Sequence, residues 1–158
     1  ANQVCSFYIG NAVGTNILRF DEWLEARYIF RPTATNTDCA YQFGPMSAYG
    51  SLTPAHGVWL ERLSTDTNWF FVSSNASTKT RTDSGVAFAA AWFNVKMRRI
   101  SSSSVGFVLN GGSEVTIGTN IPDAADGLNI GLQRTPTTAT TRDVDLDRIA
   151  YKSLAITR

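Results

Sequence analysis

Histidine is nearly absent from this 158-residue chain, which carries only His56, and cysteine is scarce, with only Cys5 and Cys39. One imidazole and no close-set cysteine pair leave no set of ligands for a zinc ion. Charge is thin as well. Lys and Arg number 14 and Asp and Glu 13, together 17% of residues, against about a quarter in an ordinary globular chain. The net charge of +1 gives no overall field to gather nucleic acid or an anionic membrane. No apolar run reaches the length of a membrane-spanning helix, and no signal-peptide pattern opens the sequence. Heptads, internal repeats and linkers are missing too. No stretch of helical period is long enough to cross between parallel strands, which excludes most α/β architectures.

What fills the chain is Ser and Thr, roughly a fifth of all residues by count, and short segments that alternate apolar with polar residues. Residues 91–117 (AWFNVKMRRISSSSVGFVLNGGSEVTI) are the clearest case. Phe93, Val95 and Met97 share one face, Asn94, Lys96 and Arg98 the other, and Val105, Phe107, Leu109, Val115 and Ile117 continue the dry side. Four serines and Asn110-Gly111-Gly112 mark the turns, so the spacing predicts a three-stranded meander. Other strands are expected at 5–9, 23–30 (WLEARYIF), 40–43, 57–63 (GVWLERL), 68–73 (NWFFVS) and 128–132. Pro32 is expected to stop the second of these. The run 68–73 is apolar on both faces, as in a strand buried between layers. Residues 79–83 are polar throughout and read as an edge strand or a long loop. In the closing run 142–156, Val144 and Leu146 fall out of phase with Ile149 and Tyr151, which predicts either a bulge near Asp147-Arg148 or a strand covered on both faces. Residues 121–126 (IPDAAD) read as a turn. About ten short strands with turn punctuation predict one all-β domain over 1–158, an antiparallel β-sandwich or barrel.

The ordered pieces GVWLERL, NWFFVSSNASTKTRTDSGVAF, AWFNVKMRRI, VGFVLNGGSEVTIGTNIP and TRDVDLDRIAYKSL resemble the concanavalin A-like (lectin/glucanase) jelly-roll domain of tailed-bacteriophage structural proteins. The resemblance covers roughly the last two thirds of the chain and implies a jelly-roll sandwich. It implies several uses: a sugar-binding module, a carrier of a glucanase site, or a virion building block such as a capsid decoration or tail-fibre domain. The virion reading brings with it a place on the particle surface, other virion proteins and host-surface glycans as partners, and a homo-oligomer, with trimers favoured by the resemblance alone. No cofactor, nucleic-acid partner or membrane insertion is expected.

Candidate chemistry is sparse. Asp143, Asp145 and Asp147 fall on one face of the closing strand by alternation, where paired carboxylates could flank a glycosidic bond or hold calcium. The E-x-D-x-x-E pattern of related glucanases is absent, and Arg142 and Arg148 stand ready to pair with the acids. The triad reads as a solvated stripe or intersubunit contact. His56 has no G-x-S-x-G elbow to serve and reads as loop decoration. The sequence therefore predicts a protein that is not an enzyme. Binding by stacking is the stronger lead. Trp92, Phe93, Phe107, Phe70 and Tyr28 sit in regular patterns and read as core. Tyr41, Tyr49, Trp59 and Trp69 lie in loops or near strand ends and are the candidate ligand-binding aromatics, Tyr49 first, each with partial burial under a loop as its alternative. Cys5 and Cys39 read as two buried thiols, with a disulfide as the other possibility. The expected function is a non-enzymatic virion component, the alternative a carbohydrate-binding module, and a third a glucanase-like hydrolase using Asp143 and Asp145.

Overall fold

Each alternating strand offers one apolar face, and such faces are satisfied by stacking two sheets. The computed structural model describes residues 5–9, 17–33, 38–50, 52–136 and 143–154, and within them it holds twelve strands and no helix. The strands are β1 (Cys5–Ile9), β2 (Leu18–Arg19), β3 (Trp23–Pro32), β4 (Cys39–Met46), β5 (Gly57–Arg62) and β6 (Asn68–Asn75). Then come β7 (Thr78–Ala87), β8 (Phe93–Ser101), β9 (Ser104–Leu109), β10 (Val115–Ile117), β11 (Gly127–Pro136) and β12 (Val144–Ser153). One sheet runs β1-β11-β4-β5-β6-β7, with β2 also joined to β11, and the other runs β10-β9-β8-β3-β12. All pairings are antiparallel. The result is the antiparallel sandwich expected from the sequence, with twelve strands in place of about ten.

The meander forms as its alternation requires. Phe93, Val95, Met97, Val105, Phe107, Leu109 and Ile117 are all buried. Asn110 and Gly111 take positive φ values of 52° and 73° to start the second turn, conformations that Asn and Gly adopt at least cost. The polar run 79–83 lies in β7, at the outer edge of its sheet.

Aromatic rings join the two layers. Phe30 of β3 stacks on Phe43 of β4 with centroids 3.7 Å apart. Trp69 of β6 meets Phe30 edge-on at 5.4 Å and Phe93 at 5.2 Å. Phe71 and Phe107 stack at 5.0 Å further along. Offset and edge-on contacts of this kind add to the area each ring buries.

Two breaks in pattern have local causes. In β12 the register jumps between Leu146 and Arg148, leaving Asp147 without an opposite number on β3. That bulge brings Ile149 and Tyr151 back into phase with Val144 and Leu146, as the phase slip predicts. β3 ends at Pro32 as expected, though the strand takes in Arg31 and Pro32 themselves, because the β8 ladder ends at Phe30 and at position 32 only β12 pairs with the strand. A missing N–H is tolerated where one side needs no donor. Near the other end of β3 the β12 register slips again between Lys152 and Ser153, and Trp23 rather than Leu24 is fully buried.

One core assignment is overturned. Trp92 is 49% exposed, because Phe93 beside it turns inward and the indole is left on the outside near Arg31, whose guanidinium carbon is 5.2 Å from the ring centroid. Phe70 is only partly buried, in a second, smaller cluster outside the main core. Cys39 is fully buried. The ladder sets Cys5 opposite Arg134 and Cys39 opposite Pro136, on the two flanks of β11. Two strand spacings, about 10 Å, are too wide for a disulfide. The Cys5 side chain lies outside the described residues.

Phe30→Ala is expected to destabilise the fold by about 3–5 kcal/mol, and Trp92→Ala by less than about 1 kcal/mol. Denaturant unfolding of the two variants checks the contrast.

Candidate functional site

The four aromatic candidates do not form an open site. Tyr41 and Trp69 point into the main core and are fully buried. Trp59 is also fully buried, on the opposite side of its sheet, where it clusters with Met46 and Val72 and is packed by Tyr49 and Phe70. Their strands place them so: β4, β5 and β6 sit in the middle of the seven-stranded sheet, with the other sheet on one face and the β4–β5 connection on the other.

That connection, residues 47–50 and 52–56 among those described, folds back over the outer face of its own sheet. The Tyr49 hydroxyl donates to the Gly44 carbonyl at 2.7 Å, with the Asn129 carbonyl sharing the same proton at 3.1 Å. Burial pushes the Tyr49 phenol well above its ordinary pKa, so it remains a donor. The Gly50 amide donates to Gln133 Oε1. The Leu52 carbonyl accepts from Gln42 and Lys79, and the carbonyls of Pro54 and Ala55 accept from the Ser74 hydroxyl. Within the sheet itself, Gly44 lets β4 approach β5 closely. A Cβ there would lie 2.3 Å from the Val58 carbonyl oxygen.

Beneath the connection sits a carboxylate that the sequence reading passed over. Glu61 is fully buried. Its Oε1 accepts from Gln42 Nε2 at 2.9 Å, Trp59 Nε1 at 3.2 Å and Lys79 Nζ at 3.2 Å. Its Oε2 accepts from Arg81 Nε at 2.7 Å, and Arg81 also pairs with Asp66. Four donors hold Glu61 in place, with two cations to balance its charge. The W-x-E spacing on β5 puts Trp59 and Glu61 on one face, and that alternation was the available signal.

The other predicted residues are placed apart from this network. Asp145 Oδ2 accepts from Arg31 Nε at 2.8 Å, the plain surface pairing foreseen for these acids, though with Arg31 as the partner. The backbone of Asp143 pairs with Thr33, and Asp147 is the exposed bulged residue. No group of three or more His, Cys, Asp or Glu side chains suited to a metal occurs among the described residues. Arg142 lies outside them. His56 is more than decoration. Its Nδ1 is 2.8 Å from Asp126 Oδ2 and 3.1 Å from Asn75 Oδ1, tying three loops together.

The outer face of the five-stranded sheet is open. β3 presents Glu25, Arg27, Ile29 and Arg31 there, and β8 presents Asn94, Lys96 and Arg98. Trp92 stands at one end of this surface over Arg31. A shallow depression of about 260 Å³ lies at Arg31, Pro32, Thr33 and Ala90, and a second of about 190 Å³ at Arg27, Asn94, Lys96, Val108 and Gly111. Trp92 shares its parity with Asn94 and Lys96 and not with Phe93. The alternation therefore contained its exposure.

Glu61→Gln is expected to cost about 3 kcal/mol, because Lys79 loses its carboxylate and Arg81 keeps only Asp66. Tyr49→Phe is expected to cost about 1–2 kcal/mol through the loss of the buried hydroxyl's hydrogen bond. Chemical denaturation measures both.

The fold is shared with proteins that bind or cleave carbohydrate. The carbohydrate recognition domain of Emp47p is similar at TM-score 0.68 and 8% identity, over 98% of this chain and 80% of that one. The β-glucanase of Bacillus licheniformis is similar at TM-score 0.62 and 13% identity, over 96% and 78%. These likenesses are to jelly-roll sandwiches of the lectin and glucanase type and establish the architecture. The protein SO2946 of Shewanella oneidensis MR-1, itself of unknown function, is similar at TM-score 0.65 and 21% identity, over 100% of this chain and 77% of that one. No curated protein matches the chain in sequence. A family profile does match, over residues 6–147, and by it the chain belongs to the SO2946-like, C-terminal domain family.

Proposed function

We propose that this chain is a non-enzymatic adhesion domain that works by surface contact, a structural component of a tailed-bacteriophage particle that meets glycans or neighbouring proteins. The observation that carries the reading is the closure of the seven-stranded sheet's outer face by residues 47–50 and 52–56. A hydrolase needs a cleft in which a carboxylic acid can reach a sugar oxygen. Glu61 is sealed under the connection and held by four donors, while Asp145 is engaged by Arg31 on an open surface. What the molecule offers to a partner is its contour. Trp92 supplies an exposed apolar ring with a polar edge, the form that suits a pyranose face. Exposed Leu146, Tyr151 and Leu154 at and just beyond β12 support self-association or docking on other particle proteins.

The second reading is a carbohydrate-binding module of a polysaccharide-active protein, favoured by the likeness to a carbohydrate recognition domain and a glucanase. The two share a glycan-contacting surface and differ in what surrounds the domain.

Incubation of the purified protein with β-glucans and a glycan array tests the common part. The expected outcome is saccharide binding without release of reducing ends, weakened about tenfold or more by Trp92→Ala. Turnover that disappears in Asp145→Asn or Glu61→Gln would overturn the non-enzymatic reading. Co-sedimentation with purified phage particles supports the first setting, and its absence alongside retained polysaccharide binding supports the second.

A further inference from the structure

On the open outer face of the five-stranded sheet, charge can be followed row by row across the strands. One row contains Lys152, Glu25, Arg98 and Gly106 on β12, β3, β8 and β9. The Glu114 carboxylate lies over Gly106, where a Cβ would meet it at 2.7 Å. Arg98 grips that carboxylate with Nε at 2.6 Å and Nη2 at 2.7 Å. Lys152 approaches Glu25 at 4.0 Å. Charges in this row therefore alternate in sign. At the end of the face, Arg31 pairs with Asp145.

The next row breaks the pattern. It reads Ala150, Arg27, Lys96 and Val108 across the same four strands. Arg27 and Lys96 are direct cross-strand partners, and like charges so placed repel. Their flanking neighbours are small or apolar. Among the described residues neither cation has a carboxylate within ion-pair distance. Of the nearby acids of this face, Glu25 lies 4.0 Å from Lys152, and Glu114 is gripped by Arg98, with Lys96 adding a weaker attraction to the same carboxylate. Arg27 Nε donates to Asn94 Oδ1 at 2.9 Å, and Arg148 adds a further cation opposite Ile29. The depression of about 190 Å³ opens at this pair.

The same face holds an aromatic step. From Trp92, the residue just before β8, through Asn94 and Lys96 the chain advances at two-residue intervals, so Trp92 and Lys96 are about 13 Å apart at the extended-strand rise. Arg31, Ile29 and Arg27 run beside them on β3. We infer that this track binds an acidic oligosaccharide, with the Arg27–Lys96 pair taking a carboxylate or sulfate group and Trp92 stacking against a neighbouring ring. This rests on the glycan-contacting reading above and adds to it the ligand's charge and the place where that charge sits. An anion between the two cations converts a repulsive pair into a bridged one, and each charge-assisted hydrogen bond adds to affinity.

Titration calorimetry with a heparin-derived hexasaccharide, hexagalacturonate and uncharged cellohexaose tests the assignment. At least one acidic ligand is expected to bind about tenfold or more tightly than cellohexaose, with affinity falling as salt rises. Preference for the first identifies sulfate as the group recognised, and preference for the second identifies carboxylate. Lys96→Glu replaces the repulsive pair by an attractive one, so its melting temperature is expected to hold or rise while acidic-ligand affinity falls about tenfold or more. Arg98→Gln, in the balanced row, is expected to leave affinity within about threefold. Acidic-ligand binding unchanged by Lys96→Glu and Arg27→Gln overturns the assignment, as does equally tight binding of a DNA oligonucleotide of matched charge. Trp92-dependent binding of cellohexaose, with no gain from acid groups, refutes the anion site and leaves the glycan-contacting reading standing. Failure of every saccharide to bind removes both.

Discussion

Strands β4, β5 and β6 have no wet face, and most of the molecule follows from that constraint. On one side Phe43, Trp69 and Phe71 interlock with Phe30, Phe93 and Phe107 of the opposing sheet. On the other, Tyr49 of the β4–β5 connection and Phe70 pack against Met46, Trp59 and Val72. A strand enclosed twice must satisfy every polar side chain it carries. Glu61 is therefore ringed by Gln42, Trp59, Lys79 and Arg81, and the Tyr49 hydroxyl finds two carbonyls. Removing the connection would expose an apolar patch and a buried charge network together, so the cover belongs to the fold.

Much of this is legible in the sequence where alternation is strict. The meander from Phe93 to Ile117 and the bulge at Asp147 follow from phase alone. The run NWFFVS shows that both faces of β6 are dry, since Trp69 and Phe71 point one way and Phe70 and Val72 the other. What phase cannot reveal is the identity of the second cover. The connection MSAYGSLTPAH is short of apolar residues and reads as a solvent loop. It lies flat because its backbone carbonyls accept from Gln42, Lys79 and Ser74, contacts distant in sequence. The same ignorance misplaces Trp59, whose exposure was expected from a strand that turns out to be covered. Trp92 errs in the opposite direction, since its aromatic character argues for the core while its parity argues for the surface, and parity prevails.

A chain with so little charge places it with purpose. The Glu61 network sits under the connection, and a second set of ions is spread over the outer face of the five-stranded sheet. In the first, each charge is matched by burial's demand for partners. In the second, solvent relaxes that demand, and a like-charged cross-strand pair such as Arg27 and Lys96 survives at small cost. The ions that support the fold and the ions exposed to solvent thus occupy opposite surfaces of the sandwich, which leaves the outer face of the smaller sheet free to vary without disturbing the core.

The bulge on β12 has a bearing on aggregation. This strand closes its sheet, and an uninterrupted edge is an invitation for another chain to extend the hydrogen-bonded ladder. Asp147 interrupts the repeat of donors and acceptors, while Asp145, Arg148 and Lys152 crowd the same border with ions. An edge broken and charged in this way is a poor template for another chain's ladder, which discourages strand-to-strand growth at this border.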